Sequence, residues 1–145
     1  GEKAMFTGID RNETKIYKSP NDPDQSNPTV FTLGLLDPNV RNAIEDCTSS
    51  FDIDPKNPND KPKVNFSLGK RNHLIVKYGL KGMEGLIHPK TKQPVKFEMT
   101  NGHFGGKLVE GVSEEILDMM PSNLKTELAE VIWNEDKFHG DDIKN

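Results

Sequence analysis

A chain of 145 residues has the length of one domain and can bury a core of its own. With 32% hydrophobic residues, 10 Pro, 12 Gly and a mean hydropathy of -0.72, that core is expected to be modest and joined by long loops. No apolar run reaches the length of a membrane span and no signal-peptide pattern opens the chain; the single Cys47 excludes an internal disulfide, as suits a reducing cytoplasm.

The net charge of -4 hides a segregation. Residues 1–60 carry 6 Lys/Arg against 11 Asp/Glu, residues 61–107 carry 10 against 2, and residues 108–145 carry 3 against 10. A basic middle between acidic ends fits mutual neutralisation within one fold, a nucleic-acid patch, or head-to-tail self-association.

Residues 1–28 read as a polar, flexible segment, because Pro20, Pro23 and Pro28 alternate there with Asn and Asp. From Thr29 the pattern alternates, with Phe31, Leu33 and Leu35 on one face and Thr32 and Gly34 on the other, which predicts a strand. Asp37 then offers a cap and Pro38 a first helical residue. Val40, Ala43, Ile44 and Cys47 follow at the spacing of one buried helical face, with Cys47 as a small core residue.

Pro55, Pro58 and Pro62 mark a second loop. Val64, Phe66 and Leu68 alternate as a strand, and a helix is expected from about Arg71 to Tyr78, ending in a turning segment at Gly79, Gly82 and Gly85. A hairpin is expected next, with Val95, Phe97 and Met99 alternating, then a turn and a short strand with Gly105 and Gly106 in the bend. Ser113 offers a cap to a helix whose first turn holds Glu114 and Glu115. Pro121 separates that helix from a last one, on which Leu124, Leu128, Val131 and Ile132 share a face. The expected organisation is α+β: small sheets and hairpins with three to four short helices and a C-terminal helical pair. It comprises the polar segment 1–28, one domain over 29–136, and a polar acidic tail over 137–145.

Candidate chemistry is sparse. His73, His88, His103 and His139 have no neighbour at zinc-ligand spacing, so no metal site is expected. Asp52, Asp54 and Asp60 lie in a calcium-loop-like run, but Asn57 and Lys63 stand where an EF-hand needs Gly and Glu. "GHFGGKL" has the wrong spacing for a phosphate loop, with Leu108 in the place of Ser or Thr. No catalytic residue and no cofactor is assigned. Lys70, Arg71, Lys77, Lys81, Lys90, Lys92 and Lys96 form the candidate nucleic-acid set. Phe66, Tyr78 and Phe97 lie among them and are better explained as core residues.

The runs "YGLKGMEGLIHPKTKQPVKF" and "SEEILDMMPSNLKTELAEVIWNEDKF" resemble small tail-region proteins of long-tailed bacteriophages. The residues that carry the resemblance are Gly79, Leu80, Gly82, Leu117, Pro121, Glu127, Leu128, Ala129 and Ile132. It implies a non-enzymatic part in tail building, after the manner of assembly chaperones that hold the tape-measure or tube protein in the host cytoplasm before polymerisation. Such chaperones are often mainly helical, whereas strands and helices mix here, so a structural tail or connector subunit of the virion is the rival.

The candidate partner-binding residues are Leu124, Leu128, Val131, Ile132, Trp133 and Phe138. The helical face among them has two possible partners, its own core or another chain. Trp133 and Phe138 are expected as aromatic anchors within an acidic surround.

Overall fold

The strand β2 (Val30–Gly34) is the centre of a three-stranded antiparallel sheet, between β1 (Thr14–Lys18) and β5 (Leu80–Glu84). The computed structural model describes residues 5–52, 55–57, 59, 61 and 63–134. Between and after these strands come α1 (Pro38–Thr48), β3 (Ser49–Asp52), β4 (Lys63–Phe66), α2 (Leu68–Gly79), β6 (Met99–Phe104), β7 (Lys107–Val112), α3 (Glu114–Met119) and α4 (Ser122–Trp133). β3 pairs with β4 and β6 with β7, each as a separate antiparallel pair. The architecture is therefore a small mixed α+β fold with four helices in the described residues and short hairpins.

The alternation expected for β2 is found at Phe31 and Leu33, which are buried; from Gly34 to Leu36, at and past the strand's end, every residue is buried. Register places Tyr17 beside Phe31 and Lys15 beside Leu33, while Ile16 faces outward at 60% exposure. Residues 14–18, expected within a flexible segment, are thus an edge strand of the main sheet. Their sequence TKIYK gave little sign of it, because an edge strand of this kind buries only one partial face. On the other side Phe31 pairs with Met83 and Thr32 with Gly82, and the register shifts before Leu33 meets Leu80.

The run 80–84, expected within a glycine turn, is a strand, and glycines at its seam with β2 admit close neighbours. A Cβ on Gly82 would come 3.2 Å from Thr32, and Gly34 is buried under the Lys81 stem.

α1 starts as its sequence dictates. Asp37 Oδ1 accepts the Asn39 N–H at 2.8 Å, and Pro38 occupies the first turn. Its buried face is Val40, Ile44 and Thr48, not the face ending at Cys47, which is exposed. The Thr48 hydroxyl donates to the Ile44 carbonyl at 2.6 Å, so it can be buried with its polar atom satisfied.

α2 begins earlier than the apolar pattern predicts and packs chiefly on α4. Ile75, Val76 and Gly79 meet Leu128, Ala129 and Ile132 in the core, which also takes Leu36, Ile44, Leu80, Val112 and Leu117. Phe66 is a correction: it is 63% exposed, and Leu68 is 60% exposed. β4 pairs only with β3, so Phe66 has no second layer to lie against.

The run 88–94 does turn, closed by His88 N–H to the Gln93 carbonyl (2.9 Å) and Val95 N–H to the Leu86 carbonyl (2.7 Å). No strand covers 95–98, although Val95 and Phe97 pack against the core. The run 100–111, expected as a turn and one short strand, holds two strands, most of β6 and of β7. The β6–β7 bend is Gly105–Gly106, with φ of 64° and 77°, the two-residue turn that glycine permits. Ser113 stands at the start of α3 as expected, but its hydroxyl makes no cap bond and is buried without a partner among the described residues.

Candidate functional site

A groove of about 590 Å³ opens between the 19–29 loop, the 85–94 loop and the N-terminal turns of α4. Its first wall is the proline-rich loop, which is tied to itself. Asp22 accepts the Asp24 N–H at 2.9 Å and the Thr29 N–H at 2.8 Å, and the Gln25 amide donates to the Asp22 carbonyl at 2.7 Å. The second wall is Gly85, Leu86 and Ile87, held opposite Pro94 by an isolated bridge from Ile87. Gly85 has a φ of 91°, a backbone conformation glycine adopts without steric cost. The Thr29 hydroxyl joins the two walls by donating to the Gly85 carbonyl at 3.2 Å. Phe31, Pro121 and Leu124 complete the apolar lining.

Glu127 of α4 anchors the loop. Its Oε1 accepts from the Ser19 hydroxyl (2.9 Å) and the Asn21 amide (2.7 Å), and its Oε2 from the Tyr17 hydroxyl (2.7 Å). Burial pushes the Glu127 carboxyl up, but the bonds from Ser19, Asn21 and Tyr17 together outweigh it and hold the group below its ordinary range. Asp24 is also held low, by hydrogen bonds from the Ser26 hydroxyl and the Asn27 backbone. Asp22, Asp24 and Glu127 all line the groove, and no Lys, Arg or His does. Among the described residues none of the three forms an ion pair.

The expected partner face divides. Leu128 and Ile132 are wholly enclosed at 0% exposure, so the chain's own core fills that face and no second chain can reach it in this fold. Leu124 is half-buried and lies in the groove; Val131 packs against the core at its edge. Trp133 is engaged by the chain's own arginines: the Arg41 and Arg71 guanidiniums lie 3.8 and 4.3 Å from its ring centroid, and Arg41 Nη1 donates to the Trp133 carbonyl at 2.8 Å. Phe138 and the tail 137–145 lie outside the described residues, as do Asp54, Asp60 and His139.

The basic set is spread over α2, β5 and the 88–98 run. Arg71 lies over Trp133, and Lys77 Nζ bonds Glu114 at 2.5 Å. Lys70 and Lys81 donate to the carbonyls of Cys47 (3.4 Å) and Tyr78 (2.9 Å). Lys90, Lys92 and Lys96 are exposed. Tyr78 stacks on Phe104 with centroids 4.9 Å apart, so that face is occupied, and Phe97 packs against the core. Glu114 gathers the charges at this side: His73 Nε2 is 2.8 Å from its other oxygen, and the Lys77 bond is the main cause of its lowered pKa. Among the described residues no group of three His, Cys, Asp or Glu is placed to hold a metal ion, and no helix is long and apolar enough to cross a membrane.

The groove is the feature that reading the sequence missed. Its prolines and asparagines were legible as loop chemistry. That Tyr17, Ser19 and Asn21 converge on Glu127 is a contact across more than a hundred residues, for which no local pattern exists. No protein-family model matches the chain, and no curated protein or solved structure shows a significant match to it.

Proposed function

We propose that the chain is a non-enzymatic binding protein of long-tailed phage tail assembly, and that it holds another tail protein through the groove between the 19–29 and 85–94 loops. The observation that carries this is the groove itself. It pairs an apolar lining with a few fixed polar groups, the mix that binding sites use for affinity and orientation. Its walls are tied to the sheet and to α4 by named hydrogen bonds, so the shape exists before a partner arrives. The resemblance of residues 79–132 to tail-region proteins supplies the setting, and the tape-measure and tube proteins are the candidate partners.

The test is co-purification from infected cells of the tagged chain and of its Ile87→Asn variant. Ile87 is 51% exposed, so the change removes apolar surface from the groove wall, adds no charge and has little effect on the core. Recovery of a tape-measure or tube protein with the parent chain but not the variant supports the reading. Equal recovery with both moves the interface elsewhere. Quantitative mass spectrometry of lysate and virions then separates an assembly factor, absent from virions, from a structural subunit at fixed copy number.

A further inference from the structure

The groove has a charge character opposite to the segment that builds one of its walls. Residues 61–107 carry 10 Lys/Arg against 2 Asp/Glu. Yet the residues this segment contributes to the lining are Gly85, Leu86, Ile87 and Pro94, and none of its lysines. Every titratable group lining the groove is a carboxylate: Asp22, Asp24 and Glu127. Two of them are held below their ordinary range by neutral donors alone, so they stay ionised without a cation beside them.

An ionised carboxylate beside apolar surface is poorly solvated, and a cation that reaches it gains more than it would in open water. Glu127 has the capacity for one. Three donors occupy part of its acceptor sites, two on Oε1 and one on Oε2, and a carboxylate offers about four. A group that suits both parts of the groove has an apolar stem to cover Phe31, Leu86 and Leu124 and a charged head to reach the acids. Lysine and arginine side chains have that form. The volume of about 590 Å³ exceeds what one side chain fills. Pro28, Pro94 and Pro121 give the remainder an apolar lining, suited to apolar side chains next to the basic one.

Resting on the groove reading above, we infer that the occupant is an extended segment of the partner protein that inserts a lysine or arginine toward Glu127, with apolar residues beside it on the proline-lined wall. Asp22 and Asp24 at the loop side draw the same cation and bias its approach.

The test selects a displayed library of random decapeptides on the full chain, and counter-selects on Ile87→Asn, which removes apolar surface from the groove wall and adds no charge. Binders are then measured by fluorescence anisotropy, each as the free-lysine peptide and as its lysine-acetylated form. The expected result is a set of Ile87-sensitive binders enriched severalfold in Lys and Arg, weakened roughly tenfold or more by acetylation. Glu127→Gln and Asp24→Asn should each weaken the charged form and leave the acetylated form unchanged. Asp24 is exposed and bonded only within its own loop, so its variant reports even where Glu127→Gln disturbs folding. Ile87-sensitive binders with no basic enrichment, or no effect of acetylation, overturn the cation inference and leave the groove reading standing. Absence of any Ile87-sensitive binder overturns both.

Discussion

Gly79 and Ile132 meet so closely that a Cβ on the glycine would lie 2.4 Å from the isoleucine Cγ2. This is where α2 approaches α4, and both residues are buried in the centre of the core. Gly79→Ala would ordinarily help a helix end, but here something must shift. The expected net loss is about 1–3 kcal/mol, the range for overpacking a filled core. A urea titration of Gly79→Ala, Ile132→Ala and the double variant checks it. In the Ile132→Ala background the added methyl has space, so its cost should fall and the cycle should show coupling. Additive effects would mean that the helices already separate freely.

Asp37 performs two tasks with its two oxygens. Oδ1 caps α1, and Oδ2 takes the Lys107 ammonium at 2.7 Å from the start of β7. The Lys107 hydrogen bond is the largest cause that holds the Asp37 carboxyl below its usual value. Asp37→Asn keeps the cap and loses the ion pair, and should cost about 0.5 kcal/mol, as exposed pairs do. Asp37→Ala loses both and should cost about 1–2 kcal/mol. Because the folded carboxyl is the more acidic, the pair's contribution is complete above the unfolded value and is lost as pH falls through the folded one. Melts from neutral pH into acid should show the gap between parent and Asp37→Asn closing.

The sequence is most legible where structure is local. The cap at Asp37, the alternation of Phe31 and Leu33 and the turn at Gly105–Gly106 each follow from a few adjacent residues, and all three are found. It misleads where glycine serves contact. Gly79 and Gly82 read as breakers, but they admit Ile132 and Thr32. It is off by one on α1, where Thr48 replaces Cys47 because a threonine can return its hydroxyl to the helix backbone. Of the groove's lining, only Leu124 stands among the residues the sequence marks for partner binding. The convergence of Ser19 and Asn21 on Glu127 exists only once β1 has paired with β2 and brought its following loop to α4.

Trp133 is the only tryptophan, so its emission reports one place. Arg41 and Arg71 both lie over its ring, which joins the ends of three helical segments through one side chain. Removing either guanidinium should change the emission and cost about 0.5–1 kcal/mol of stability. Arg41→Ala should cost the more, because it also frees the Trp133 carbonyl. Arg71→Lys should restore little, since an ammonium lacks the planar face that stacks on the indole. Emission spectra and urea melts of the three variants check this; unchanged spectra for Arg71→Ala would show that the contact is not held in solution.

Tyr17 helps to hold Glu127 ionised as well as in place. Burial alone would raise that carboxyl, and the Tyr17 hydroxyl is one of the three donors that reverse the effect. Tyr17→Phe removes one donor without changing the ring, so the Glu127 titration should move upward. The parent carboxyl is depressed, so its stabilising bonds are present above the unfolded value and lost as pH falls through the folded one. In Tyr17→Phe that loss should begin at higher pH. Titration of the Glu127 side-chain carbon by NMR, in parent and variant, reads the shift directly. A midpoint unmoved in Tyr17→Phe would mean that Ser19 and Asn21 hold the carboxylate by themselves, and the loop's attachment to α4 would not depend on β1.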